Sequence, residues 1–175
     1  MELGDYIAAV PDFPVPGVAF KDITPLLAEP EAFRRSVDGL LELCRDWPVD
    51  RIAAFDARGF LWGAPMAYLR GVPLVPVRKT GRLPRATVGE SYQGEYAPET
   101  VEIHDDAVTA GDSVLLVDDV IATGGAMRAG VRLVERLGGT VVGCVSVVRL
   151  TGLGAAEQLS GYRVASLREY RAPRG

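Results

Sequence analysis

The sequence predicts an α/β fold with a largely parallel central sheet. Three observations carry this reading. Short apolar runs recur at Ile52–Phe55, Pro73–Val77, Val114–Val117, Thr140–Val148 and Tyr162–Leu167, and helical patterns separate most of them. The run at Val114–Val117 is continuous rather than alternating, as expected of a strand covered by helices on both faces. Three runs end in chemistry, at Asp56–Gly59, Arg78–Arg82 and Asp118–Gly125, and open parallel sheets bind ligands at the carboxyl ends of their strands.

Composition bounds the rest. A chain of 175 residues is expected to form one domain, 1–175, with a proper core. Hydrophobic content of 48% and charged content of 24% describe a globular protein. A net charge of −4 and a pI near 5.1 argue against a nucleic-acid surface. No apolar stretch approaches the ~20 residues of a membrane span, and no basic region followed by an apolar run suggests a signal peptide. Cys44 and Cys144 lie in apolar segments and read as reduced core cysteines, which points to the cytoplasm. A single histidine, His104, leaves no material for a His-based metal cluster or a Ser-His triad.

In chain order, residues 2–10 are expected to form a short helix. Prolines 11, 14 and 16 keep the next segment irregular, yet Phe13, Val15, Val18 and Phe20 make it apolar enough to pack on something. Residues 31–46 read as a helix with Phe33, Val37, Leu40, Leu41 and Cys44 on one face, stopped by Pro48. A helix over 61–70 follows the strand at 52–55, and Pro73–Val77 is the next strand. Residues 79–98 show no clear period, and a loop of that length is usually functional or disordered. Its tail, Ser91–Tyr96, alternates and can pair with Thr100–His104. Helices are expected over 126–137 and 153–159, with the strands Thr140–Val148 and Tyr162–Leu167 after each begins its own segment, and an unstructured tail from Arg171.

The run from Val114 to Ala126 organises the chain. It reads strand, acidic pair Asp118-Asp119, small-residue turn Ala122-Thr123-Gly124-Gly125, then a helix with Met127, Val131, Val134 and Leu137 on one face. A helix start presents unpaired N–H groups and a favourable dipole to an anion, and glycines let the backbone approach a phosphate. Thr123 can cap the helix or donate to the same phosphate. The acidic pair must face donors or positive charge instead. A ribose 5-phosphate satisfies both halves. No Gly-Lys-Ser/Thr follows the glycines, which excludes a Walker loop, and the Rossmann glycine spacing is absent.

Two further clusters fit a polyanion. Asp56-Ala57-Arg58-Gly59 puts a guanidinium beside a glycine at a strand end. Arg78, Lys79 and Arg82 bring three cations within five residues of an acidic chain.

Val-Asp-Asp-Val-Ile-Ala-Thr-Gly-Gly at 117–125 resembles the phosphoribosyl-pyrophosphate motif of type I phosphoribosyltransferases. Asp56–Phe60, the pattern Ser91, Tyr92, Glu95, Tyr96, and the segment Asp12–Pro25 resemble the diphosphate loop, flexible loop and hood of the adenine phosphoribosyltransferases. The resemblance spans about residues 11 to 170. It implies the type I fold, with a hood over 11–25 and a flexible active-site loop over 79–98, and transfer of phosphoribose from 5-phosphoribosyl 1-diphosphate to adenine. It implies that Asp118 and Asp119 hold the ribose hydroxyls and that Ala122, Thr123, Gly124, Gly125 and Ala126 wrap the 5-phosphate. Asp56, Ala57, Arg58, Gly59, Arg78, Lys79 and Arg82 would meet the diphosphate. A cis peptide is implied at Asp56–Ala57. Ala19, Phe20, Lys21 and Leu150 would build the adenine pocket, and Glu95, with Arg58, would act at the reacting centre. Mg2+ is the implied cofactor, held mainly by substrate and water with no direct protein ligand. A homodimer with small-molecule substrates is implied. Two positions depart from the family pattern: Lys21, where Arg is common, and Arg149, where an acidic residue is common.

Overall fold

The structure is a computed structural model, and it describes residues 2–94 and 97–172. A seven-stranded sheet runs through the centre. Its parallel body is β3 (Arg51–Phe55), β4 (Leu74–Lys79), β7 (Ser113–Ile121), β8 (Thr140–Thr151) and β9 (Val164–Arg171). A hairpin of β5 (Thr87–Gln93) and β6 (Pro98–His104) adds antiparallel to β4, so the order across the sheet is β5-β6-β4-β3-β7-β8-β9.

Helices cover both faces. On one face α2 (Pro30–Leu43) and α3 (Phe60–Arg70) bury Leu40, Cys44, Trp62 and Met66 against Ile52, Ala54, Leu115 and Val117. On the other, α4 (Gly125–Arg136) buries Met127, Val131 and Val134 against Phe55, Val114 and Leu116. Successive β7 residues thus enter opposite cores, and both cores are apolar, which is why the run carries no polar alternation. Truncating one of these fully buried leucines would cost about 2–5 kcal/mol. One polar chain crosses the first core: Trp62 Nε1–H donates to Ser36 Oγ at 2.7 Å, and Ser36 Oγ–H donates to the Phe33 carbonyl at 2.7 Å. Arg70, at the end of α3, donates to the carbonyls of Cys44, Arg45 and Trp47, and so supplies partners where α2 ends.

Several elements differ from the sequence expectation. Residues 2–10 form a short 3-10 turn, Leu3–Tyr6, and then a strand, β1 (Ala8–Val10). That strand pairs with β2 (Phe20–Asp22), a partner invisible to local pattern. A short helix, α1 (Thr24–Ala28), follows, with Asp22 accepting from the Thr24 N–H and hydroxyl. The segment 79–98 is not a long loop, because β5 occupies 87–93. Its inward positions are Val88, Glu90 and Tyr92, and the charge on Glu90 hides the alternation. Glu90 is tolerated there because Arg132 and Arg136 of α4 reach it. Strand β9 runs on to Arg171, so the tail begins later than expected. The fifth helix, α5, is only Ala155–Gln158.

Strand β7 also outruns its expected end. It continues through both aspartates to Ile121 because β8 pairs with it all the way, Asp118 opposite Ser146 and Ile121 opposite Arg149. On its other side β3 stops at Phe55, and the last pair is Ala54 with Val117. From Asp118 onward one edge of β7 therefore has no strand beside it. Chain direction reverses here too, since β3 leads through α3 to β4 and β7 leads through α4 to β8. Such a switch point opens a crevice at the carboxyl ends.

Candidate active site

The crevice collects the two strand-end motifs. The peptide Asp56–Ala57 is cis, as the resemblance implied. Gly59 packs so closely that a Cβ there would lie 2.7 Å from the Phe55 carbonyl oxygen and 2.9 Å from Asp118 Oδ1. Loop 56–59 and the acidic pair are thus one packed unit.

The acidic pair is electrostatically loaded. Asp119 is buried, and its Oδ2 lies 2.8 Å from Arg58 Nε without hydrogen-bond alignment, so this oxygen has no hydrogen-bond donor. Asp118 Oδ1 accepts from the Asp119 backbone N–H at 2.8 Å. Burial, and then the neighbouring Asp119 charge, hold the Asp118 carboxyl well above the usual carboxylate range. A ligand that brings hydroxyl donors or positive charge to this pair relieves both effects.

After the pair the chain turns through Ala122-Thr123 into α4. Gly124 sits at φ 85°, where a side chain is disfavoured, and its Cβ would meet the Ala155 backbone at 3.0 Å. The helix starts at Gly125 without a side-chain cap. The Gly125 N–H donates to Thr123 Oγ1 at 3.4 Å, and the next N–H groups of the first turn have no partner within the helix.

Two cavities meet at Arg58. One, about 270 Å³, is lined by Arg58, Tyr92, Glu99, Asp118 and the whole turn Val120–Met127. The other, about 300 Å³, is lined mostly by apolar groups, among them Phe13, Val18, Ala19, Phe20, Lys21 and Leu150, and shares Arg58, Val120 and Ala122 with the first. The Phe13 and Phe20 rings pack edge to face at 5.1 Å, and the Arg58 guanidinium lies over Phe20 at 5.4 Å. Among the described residues strand β2 pairs with β1 alone, so one of its edges has no strand partner.

A family model, phosphoribosyl transferase domain, matches residues 26–164. An adenine phosphoribosyltransferase from Carboxydothermus hydrogenoformans is 49% identical over 170 residues, 97% of this chain and all of that protein. The chain belongs to the adenine phosphoribosyltransferase family. It is an enzyme of phosphoribosyl transfer. The crystal structure of the Thermoanaerobacter pseudethanolicus adenine phosphoribosyltransferase is 45% identical and superimposes with a TM-score of 0.93, covering 96% of this chain and 98% of that one. The Saccharomyces cerevisiae enzyme is 35% identical with a TM-score of 0.88, covering 95% of this chain and 96% of that one. It was crystallised with adenine and D-2,5-dideoxy-2,5-imino-altritol 1,6-bisphosphate. The type I fold expected from the sequence is thereby shown. The family match starts at residue 26, after the hood, where the segment expected to choose the base ends.

The expected family residues are distributed as follows. Arg58, Asp118 and Ala122–Ala126 line the polar cavity, and Ala19–Lys21 with Leu150 line the apolar one. Asp56 and Arg78 pair at 3.0 Å, and Arg78 also donates to the Arg82 carbonyl. Lys79 pairs with Glu99 at 3.6 Å. Ala57 and Arg82 are exposed and line neither cavity. Glu95 lies outside the described residues. Of the two departures, Lys21 sits over the Tyr170 ring at 4.2 Å, and Arg149 pairs with Glu169 at 3.4 Å. Sequence reasoning missed Glu99 and assigned no role to Tyr92 by itself. The hairpin register Tyr92 opposite Glu99 was the available signal.

No helix among the described residues is long and apolar enough to cross a membrane.

Proposed function

We propose that the chain, acting as one catalytic domain, transfers the 5-phosphoribosyl group of 5-phosphoribosyl 1-diphosphate to adenine N9, giving AMP and diphosphate in purine salvage. The observation that carries this is the pair of cavities joined at Arg58. One is lined mostly by apolar and aromatic groups beside a strand edge. The other combines an acidic pair with a helix start. A base, a sugar and a phosphate in line fit that order, and the ligands crystallised in the yeast relative have the same two chemistries.

The roles follow from the groups. Phe20 offers a stacking face, Leu150 closes the opposite side, and the backbone of Ala19 and Lys21 reads the base edge. Asp118 and Asp119 accept from the ribose hydroxyls. The turn Ala122–Ala126 and the α4 start hold the 5-phosphate. The backbone of Asp56–Gly59, with Arg58, Arg78, Lys79 and Arg82, receives the leaving diphosphate. In the reaction the C1–O bond breaks, the C1–N9 bond forms, and the N9 proton passes to a base, for which Glu95 is the candidate. Held rigidly between its hydroxyls and its phosphate, the sugar is presented to adenine as its carbon gains positive charge. Mg2+ is the proposed cofactor. The Asp119 Oδ2, which faces Arg58 without an aligned donor, and the neighbouring Asp118 carboxyl suit the water shell of a cation, and bound Mg2+ would supply charge neutralisation to the diphosphate. A cytoplasmic location is proposed from the two free buried cysteines.

The test is AMP formation from adenine, 5-phosphoribosyl 1-diphosphate and Mg2+, with hypoxanthine and guanine alongside. Product from adenine alone is expected. Product from another base would move the error to the hood, and no product from any base would remove the reading.

A second copy of the chain is the proposed partner. Leu61, Tyr68 and Leu69 leave 41%, 84% and 57% of their surface exposed on α3, and Phe13 and Val15 of the hood are exposed as well. The wild type is expected to run as a dimer in size-exclusion chromatography with light scattering. Tyr68→Glu with Leu69→Glu is expected to run as a monomer; a monomeric wild type would overturn the assignment.

A further inference from the structure

Three of the four cations on the diphosphate side, all but Arg82, already face an internal carboxylate. Arg58 faces Asp119 at 2.8 Å, Arg78 faces Asp56 at 3.0 Å, and Lys79 faces Glu99 at 3.6 Å. Two of those carboxylates belong to the strand-end motifs. Glu99 does not. It comes from the far strand of the hairpin and lines the polar cavity beside Arg58 and Asp118. Its Oε2 also accepts from the Tyr92 hydroxyl at 2.6 Å. Burial, followed by the Glu99 hydrogen bond, pushes the Tyr92 phenol well above its ordinary value, so the hydroxyl remains a donor. The Tyr92 ring in turn lies against Gly125, where a Cβ would stand 3.0 Å from it.

An anion placed inside a site for a polyanion has a definite consequence. Diphosphate that approaches Lys79 meets the Glu99 carboxylate 3.6 Å from the ammonium and binds there against its repulsion. We infer that Glu99 is a resident counter-anion for Lys79, a positioning residue that weakens the hold on diphosphate and thereby promotes its release. The Tyr92 hydroxyl donates to the same Oε2 that faces Lys79. The inference rests on the diphosphate assignment proposed above and adds to it a residue that acts against binding rather than for it. The Lys79 and Glu99 side chains are 61% and 40% exposed, so the effect is that of a solvent-screened ion pair.

The experiment is calorimetric titration of inorganic diphosphate with Mg2+ into the full chain, for wild type, Glu99→Gln and Tyr92→Phe, with thermal unfolding as a check on folding. Glu99→Gln keeps the acceptor for Tyr92 and removes the charge. It is expected to tighten diphosphate about two- to five-fold, with a steeper dependence on salt. Tyr92→Phe keeps the charge and is expected to bind no tighter than wild type. If Glu99 served only to hold Tyr92 in place, Glu99→Gln, which keeps that acceptor, would bind like wild type while Tyr92→Phe bound more weakly, and that result overturns the inference. So does unchanged affinity in a folded Glu99→Gln. A wild type that binds no diphosphate would instead remove the functional reading on which the inference stands.

Discussion

Replacing Asp118 and Asp119 together by Asn is expected to lower kcat/KM for 5-phosphoribosyl 1-diphosphate by about 10²–10³-fold, the scale of losing preorganised charge at a reacting centre. Asn keeps the shape of both side chains and the acceptor that Asp118 Oδ1 presents to the Asp119 N–H. What is lost is negative charge beside the proposed sugar. Steady-state AMP formation measures it, and turnover near wild type would remove the ribose assignment. Stability should move the other way for the single variant Asp118→Asn. The folded-state carboxyl lies above its unfolded value because burial and Asp119 oppose its charge. The fold therefore prefers the protonated form. That preference stabilises the chain fully below about pH 3.9, the ordinary aspartate value, and is lost as pH rises through the raised one. At pH 7 the raised carboxyl costs stability, so Asp118→Asn should melt a few degrees higher there, roughly the shift that ~1 kcal/mol produces. At pH 4 the gain should largely vanish.

Gly59→Ala is expected to damage activity more than stability. The added methyl would sit 2.7 Å from the Phe55 carbonyl oxygen and 2.9 Å from the Phe55 nitrogen, and neither can rotate away. It would also stand 2.9 Å from Asp118 Oδ1. The loop must move off β3, taking Arg58 with it. Overpacking of this kind costs about 1–3 kcal/mol. A shift of about 1 Å at positioned groups can cost ~10²-fold in rate, so activity should fall much further than stability. Thermal unfolding and kcat/KM measured on the same preparation separate the two losses. A variant with normal kinetics would show that loop 56–59 does not position Arg58 for the reaction.

Both predictions concern motifs that could be read along the chain, and the reason is locality. Asp118-Asp119 and the glycine turn lie within eight consecutive residues, and Asp56–Gly59 within four. Their residue types state their chemistry wherever the strand end is placed. The order of strands and helices was legible for the same reason, because periodicity is a property of neighbouring residues. Reading failed where a partner distant in sequence decides the outcome. Ala8–Val10 is a strand only because Phe20–Asp22 returns beside it. Thr87–Gln93 has a charged inward position, Glu90, and becomes a strand because Arg132 and Arg136 of a later helix cover that charge. Strand β7 runs past its apolar end because β8 continues to pair with it while β3 stops.

The sequence by itself thus determined the α/β class, the small-residue turn, the acidic pair and the family. Each depends on residue type and short spacing. Tertiary structure alone decided which groups meet: Arg58 between Phe20 and Asp119, Asp118 against Gly59, and Glu99 opposite Lys79. These contacts join segments tens of residues apart. They exist only because the sheet brings the ends of β3, β4 and β7 to one edge and the hairpin across them.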